Sequence, residues 1–497
     1  MLFNSYIFIF VFLPITLIVY FGLGRYDNQN IAISWLIGAS LFFYGWWNPV
    51  YLGLILGSIL FNYAMGRFIS RSINHKSKYM LVFGIALNLG VLGYFKYANF
   101  FIDNVNSLFS TSFHIEQIIL PLAISFITFQ QIAYLVDSSR GMTGEYKFLH
   151  YCLFVTFFPQ LIAGPIVYHK EMFPQFAKNT VGKFKYESLA VGLSFFILGL
   201  FKKVVIADTA ATYVTPYFEL ATNGHVLTFV EGWVAALAYT FQLYFDFSGL
   251  CDMALGLARM FGILYPINFN SPYKAYNIID FWQTWHITLS RFLRDYIFFP
   301  LSRSRKGNVN RYINLLVTML LGGLWHGAGW TFVVWGGLHG LYLDINHAWR
   351  ALKPKLNLTF KVPPFIGNNV SWLITFIAVV ISWVFFRAPS IHSALLVLES
   401  MFGFNGFSLS ISGDISRRKL LFFLMAVMFI VKMLPNSIDI MSLFNPVVEK
   451  NYAKHKSLIP LIWRPTIIWG FIFVVLILSS LRMMVTQGYH EFIYRFF

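Results

Sequence analysis

Charge is what this chain has least of. Asp, Glu, Lys and Arg make up only 11% of its 497 residues, and just 20 of them are acidic against 37 basic. A soluble protein of that length needs far more polar surface, so the composition excludes a soluble globule and points to a polytopic membrane protein. Cysteine is almost absent. Cys152 and Cys251 allow neither a disulfide framework nor a cysteine-rich metal site. Also missing are a Gly-x-Ser-x-Gly elbow, a His-Glu-x-x-His zinc motif and a Gly-x-x-x-x-Gly-Lys-Ser/Thr phosphate loop. No metal is therefore expected. No basic residue precedes Arg25, so the first apolar run reads as a retained span and not as a cleaved signal.

What is present is apolar: 58% of the residues are hydrophobic, with 56 Phe. A helix crosses a bilayer in roughly 17–25 apolar residues. Runs near that length fall at 5–24, 31–47, 50–65, 79–97, 115–135, 187–207, 228–246, 312–345 (broken in its middle), 369–387, 418–434 and 461–483. The expected fold class is all-α and polytopic, with about eleven spans. The stretches 150–166 and 252–264 are short or interrupted by Pro and Gly, and read as re-entrant or interfacial pieces. The polar breaks at 167–186, 346–368 and 435–460 are too short to be folded units, so residues 1–497 read as one membrane-embedded domain. No internal repeat is visible, which counts against the common transporter folds.

Lys and Arg collect in 67–78, 136–149, 291–311 and 346–368, which places those segments in the cytoplasm and 97–114 and 484–497 outside. The triplet Arg417-Arg418-Lys419 falls on the outer side and violates that rule. Topology and lipid headgroups account for most of the +17 net charge, and its dispersal among loops is a poor fit to nucleic acid. The exception is 291–311. There Arg291, Arg294, Arg303, Arg305 and Lys306, with Arg311, face the single Asp295 and are candidates to hold a phosphate-bearing cytosolic donor.

An ionisable side chain at membrane depth is costly, and its presence points to function. His326 lies in the apolar run Leu320-Leu-Gly-Gly-Leu-Trp325-His326-Gly327. His286 follows Trp285 across the basic loop, in Trp285-His286-Ile-Thr-Leu-Ser290. Each has a plain alternative: a packing residue for His326, an interfacial ring among Trp282, Trp285 and headgroups for His286. His339 reads as packing. Burial favours a neutral imidazole that can accept a proton, so general base is the expected role of His326. Such a base contributes on the order of 100- to 10,000-fold, enough for an activated thioester. Asp246 and Asp252 read as carboxylates paired to fix helix packing, and Lys202 and Lys203 as snorkelling to the interface.

Further residues carry a resemblance that runs nearly end to end. They include Gly93-Tyr-Phe-Lys-Tyr97, Leu161-Ile-Ala-Gly-Pro165, Phe201-Lys-Lys203, Gln242-Leu-Tyr-Phe-Asp-Phe-Ser-Gly249 and Leu293-Arg-Asp-Tyr296, beside the two histidine motifs. Together they resemble membrane-bound O-acyltransferases of the bacterial alginate O-acetyltransferase type. The resemblance implies a funnel-and-tunnel fold with a catalytic core at about 115–345, lodged in the bacterial cytoplasmic (inner) membrane. It places His326 on the catalytic histidine and His286 on the second active-site histidine, with Trp285, Trp325 and Asp246 as tunnel-lining candidates. No bound cofactor is implied; the donor is acetyl-CoA or another acetyl thioester. Implied partners are the lipid bilayer, a polysaccharide synthesis and export complex, and an extracytoplasmic acetyltransferase of SGNH type with a Ser-His-Asp site. The acceptor ranges over alginate, cellulose, another exopolysaccharide or peptidoglycan. At 300–307 the chain reads Pro-Leu-Ser-Arg-Ser-Arg-Lys-Gly where relatives often carry a glycine-rich loop.

The tail Gly488-Tyr-His-Glu-Phe492-Ile-Tyr494-Arg-Phe-Phe497 resembles aromatic tails of the same group, in which a tyrosine hydroxyl carries the acyl group, making Tyr494 the acyl-carrier candidate. Its alternative is an interfacial aromatic anchor. At the level of the whole protein the competing readings are a proton-coupled transporter or flippase of a glycolipid or acyl carrier, and a scaffold for an export complex. A transporter predicts repeats and intramembrane carboxylates along a path; a scaffold needs no histidine at depth.

Overall fold

The computed structural model describes residues 1–26, 28–71, 76–144, 146–161, 164–178, 181–304, 307–356, 363–411, 416–449, 457–486 and 492–493. Among these every regular element is helical. Five helical stretches are long and apolar enough to cross a bilayer: Tyr51–Arg71, Ser77–Phe109, Tyr186–Thr222, Pro364–Arg387 and Ile467–Thr486. Their outward faces are apolar where water would forbid it; Ile467 is 92% exposed and Ile468 and Phe471 are open as well. A helix with that pattern is solvated by lipid. The remaining expected spans also lie on helix, 115–135 only from Ile124 onward, in elements that are shorter or carry more polar residues.

The central element is the 32-residue helix Phe229–Met260, buried on nearly every side. It packs along Tyr186–Phe201 through two glycine pairs. A Cβ on Gly199 would sit 2.4 Å from the Gly249 carbonyl oxygen, and one on Gly192 2.6 Å from that of Gly256. The equal seven-residue spacing on both helices lets the two backbones touch twice, the close approach that small residues permit in membranes. A second tight crossing joins Asn308–His326 to Trp330–Leu352, where a Cβ on Gly323 would lie 2.2 Å from the Phe332 carbonyl oxygen. Gly327 and Gly329 adopt extended backbone between these helices and make the break expected inside 312–345.

Three expectations are corrected. Residues 115–121 are not helical; the helix begins at Ile124, after Pro121 and a left-handed Ala123 (φ 62°). Pro121 disfavours helix before it. Residues 252–260 are no separate re-entrant piece but the last turns of the central helix. Lys202 and Lys203 do not snorkel. Lys203 is 2% exposed and its Nζ lies 2.6 Å from Asp246 Oδ1 and 2.8 Å from Asp208 Oδ1, while Lys202 Nζ lies 2.6 Å from Asp252 Oδ2. A carboxylate within reach lets an ammonium stay at depth, which also explains why the central helix continues through Asp246 and Asp252.

Candidate active site

The hairpin and the loop before it bring the two histidines together. His326 closes the helix Asn308–His326, and His286 caps the start of Ile287–Leu293. Their ring centroids are 6.2 Å apart, with exposures of 2% and 0%. The interfacial alternative for His286 thus fails, because a headgroup-level ring would be accessible. His286 holds a left-handed backbone (φ 41°, ψ 53°), uncommon for a residue with a side chain and typical of positions the surrounding structure enforces.

Asn268 does the enforcing. Its Oδ1 lies 3.1 Å from His286 Nδ1 and accepts from Thr288 Oγ1 at 2.9 Å, while its carbonyl accepts from Ile287 N at 3.0 Å. Because this oxygen only accepts, the hydrogen of the His286 ring is assigned to Nδ1, and Nε2 carries the lone pair. Aromatic rings wall the pair. Trp325, Trp335 and Phe386 lie 4.9, 5.0 and 5.2 Å from the His326 ring, and Phe247 lies 4.8 Å from His286. Trp325 stacks on Phe129 at 5.1 Å. Trp285 is packed deeper, 4.9 Å from Trp383 and 5.0 Å from Phe269.

His339, one helix further, has both nitrogens occupied by the fold. Nδ1 accepts from the Trp282 indole at 3.2 Å, and Nε2 lies 2.9 Å from Ser382 Oγ, which itself donates to the Val379 carbonyl at 2.7 Å. That is the geometry of a packing histidine.

A cavity of about 410 Å³ opens beside the basic loop, lined by Arg291, Arg294, Arg311, Ser290, Thr318 and Met319 among others. Met319 stands two turns before His326, roughly 10 Å along the helix axis. The arginines are not equivalent. Arg291 forks onto Glu171, its Nη2 3.1 Å from Oε2, and lies over the Tyr168 ring at 4.2 Å. Arg294 pairs with Asp295 on an exposed surface, an interaction worth little in water and readily exchanged. Arg303 is exposed and outside this cavity's lining, and Arg305 and Lys306 lie outside the described residues. Sequence reasoning missed Asn268, which no motif singles out, and underused Arg311, whose position at the start of the His326 helix was the available signal.

Asp246 faces no cavity described here; it is held by Lys203 and accepts from the Ile493 amide at 3.1 Å. Phe492 is wholly buried, with Lys203 Nζ 4.9 Å from its ring centroid. The tail therefore returns into the core at 492–493, against Lys203 and Asp246. Tyr494 lies outside the described residues. Among the described residues no group of three or more His, Cys, Asp or Glu is placed to hold a metal.

Residues 143–386, which contain both histidines, match the family model of the membrane-bound O-acyltransferases. A peptidoglycan O-acetyltransferase of Helicobacter pylori is 47% identical over 82% of this chain and 81% of its own length. The chain belongs to the membrane-bound O-acyltransferase family. A probable alginate O-acetylase of Pseudomonas aeruginosa is 41% identical over 82% of this chain and 76% of its own. A teichoic acid D-alanyltransferase of Streptococcus thermophilus is 28% identical over 53% and 68%. This protein is accordingly a membrane-embedded O-acyltransferase, and the all-helical architecture with lipid-facing apolar helices is that of a polytopic member.

Proposed function

We propose that this acyltransferase takes an acetyl group from a cytosolic thioester, acetyl-CoA or an equivalent donor, and delivers it for O-acetylation of an extracytoplasmic polysaccharide from within the bacterial cytoplasmic membrane. The observation that carries this reading is the pair of buried histidine rings at 6.2 Å, approached by an arginine-lined cavity on the side assigned to the cytoplasm. The names of the relatives favour peptidoglycan, alginate or a related envelope polymer as acceptor.

In this mechanism Arg294 and Arg311 hold the phosphates of the donor, with Arg303, Arg305 and Lys306 as outer contacts, while Arg291 braces the loop through Glu171. The thioester arm reaches past Met319 to the chamber. His326 removes the proton of an acceptor hydroxyl, whose oxygen forms a C–O bond to the thioester carbonyl carbon. The C–S bond breaks, and the leaving sulphur takes the proton back from His326. His286, fixed by Asn268, presents Nε2 to the same chamber and orients the reacting hydroxyl. Trp285 and Trp325 keep the chamber dry, and Asp246 seats the tail. Tyr494 is the proposed first acceptor, supported by the burial of Phe492 and by the bond from the Ile493 amide to Asp246. An extracytoplasmic partner of SGNH type, associated with the polysaccharide machinery, then moves the acetyl group to its serine and on to the polymer.

The transporter reading loses support because Asp208, Asp246 and Asp252 are each bound to a lysine. The test is acetyl-ester content of envelope polysaccharide in cells carrying His326→Ala at normal membrane level. Loss of ester is expected; unchanged ester would remove the base assignment.

A further inference from the structure

One motif of the sequence has so far had no role: Gly93-Tyr-Phe-Lys-Tyr97. It forms a π-helical turn between Lys76–Leu92 and Ala98–Phe109. Such a turn inserts a residue into the helix, redirects the side chains after it and is frequent at functional sites. Here the redirected side chains meet the end of the His326 helix. Lys96 Nζ donates to the Trp325 carbonyl, to the His326 carbonyl at 3.3 Å and to Ser125 Oγ at 3.3 Å. Tyr97 donates its hydroxyl to the Leu324 carbonyl at 2.8 Å.

These are the last three carbonyls of a helix that stops at His326, where no further turn supplies amide donors and the helix dipole is negative. The ammonium also lies 5.8 Å from the centroid of Trp325, whose ring stands 6.1 Å from His286 and 4.9 Å from His326. One lysine and one tyrosine thus hold the backbone that carries Trp325 and His326.

A lysine at this depth without a carboxylate is what makes this more than packing. Lys202 and Lys203 each have a carboxylate within 2.6 Å. Among the described residues no carboxylate lies within ion-pair distance of Lys96, whose partners are two carbonyls, the Ser125 hydroxyl and an indole face. A leucine or methionine would fill that space in a bilayer at far lower cost.

Building on the acyl-transfer reading above, we propose that Lys96 and Tyr97 are positioning residues for His326, clamping carbonyls 324–326 so that the imidazole is held at the reacting hydroxyl during acyl transfer. They touch neither donor nor acceptor; their effect runs through the histidine they orient.

The experiment uses everted membrane vesicles of the full chain, supplied with labelled acetyl-CoA, and reads kcat and donor KM for transfer to polymer. Hydrogen bonds to a charged donor of this kind suggest a fall in kcat of about thirtyfold for Lys96→Met. Donor KM should stay within about twofold of wild type, because binding at the far end of the helix is untouched. Lys96→Arg, which keeps charge and donors, should recover kcat to within about fivefold, and Tyr97→Phe should lose about fivefold. Wild-type kcat in Lys96→Met overturns the positioning role and leaves the histidine chemistry standing. Wild-type kcat in His326→Ala removes instead the reading on which the role rests. If Lys96→Met fails to reach the membrane, Lys96→Arg and Tyr97→Phe decide: lowered kcat at unchanged KM supports the clamp, and wild-type kcat in both overturns it.

Discussion

His326 and His339 sit on the two arms of one hairpin, both buried, and share the same tryptophan: Trp335 lies 5.0 Å from the first ring and 4.8 Å from the second. Their surroundings differ in kind. His339 is in the middle of a helix, with Trp282 on one nitrogen and Ser382 on the other, so its ring is a cross-link among three segments. His326 is the last residue of its helix, held from behind by Lys96 through its backbone, and its ring faces His286. Burial and aromatic company are therefore not what separates the proposed base from the packing histidine. What separates them is that Lys96 fixes the main chain at His326 and its ring is turned toward a second histidine.

The comparison breaks most completely if the hairpin opens. Gly323→Leu forces a side chain into the Phe332 carbonyl at 2.2 Å, and loss of folded protein from the membrane fraction is expected, taking both histidines with it. Asn268→Ala should leave folding nearly intact but free the left-handed His286. A fall in transfer rate of about tenfold is expected in membrane vesicles, the size of the one hydrogen bond lost at the His286 ring, with the bond to Thr288 lost beside it. Arg294→Ala with Arg311→Ala should raise donor KM by about tenfold at nearly constant kcat, since surface charges act on binding more than on the chemical step. The smallest effect belongs to Ser382→Ala, which removes one partner of His339. It should lower the thermal midpoint in detergent, equivalent to about 1 kcal/mol, with unchanged transfer.

Much of this was legible in the sequence because membranes impose strict rules. Apolar length gave the helices, and the break inside 312–345 was visible, while the close crossing at Gly323 was not. Cost at depth drew attention to His326, and the pairing of Asp246 and Asp252 followed from the same cost. The partners of those carboxylates were less legible. Lys202 and Lys203 look like interfacial residues until the antiparallel run of Tyr186–Phe201 against Phe229–Met260 sets them beside Asp252 and Asp246. The helix start at Ile124 was hidden because 115–123 is apolar enough for a span, and only Pro121 hints otherwise. Asn268 and Lys96 were out of reach as site residues, since each acts on a segment distant in sequence through contacts that only the fold creates.

The most direct measurement is a paired one: rate of acetyl transfer from labelled acetyl-CoA and thermal midpoint, for His326→Gln and His339→Gln in the same vesicles. For His326→Gln the rate should fall at least about 100-fold with the midpoint little changed, as removal of a general base requires. For His339→Gln the midpoint should drop while the rate stays within about threefold. Equal rate losses in the two variants, or an intact rate in His326→Gln, would contradict the division of roles between them.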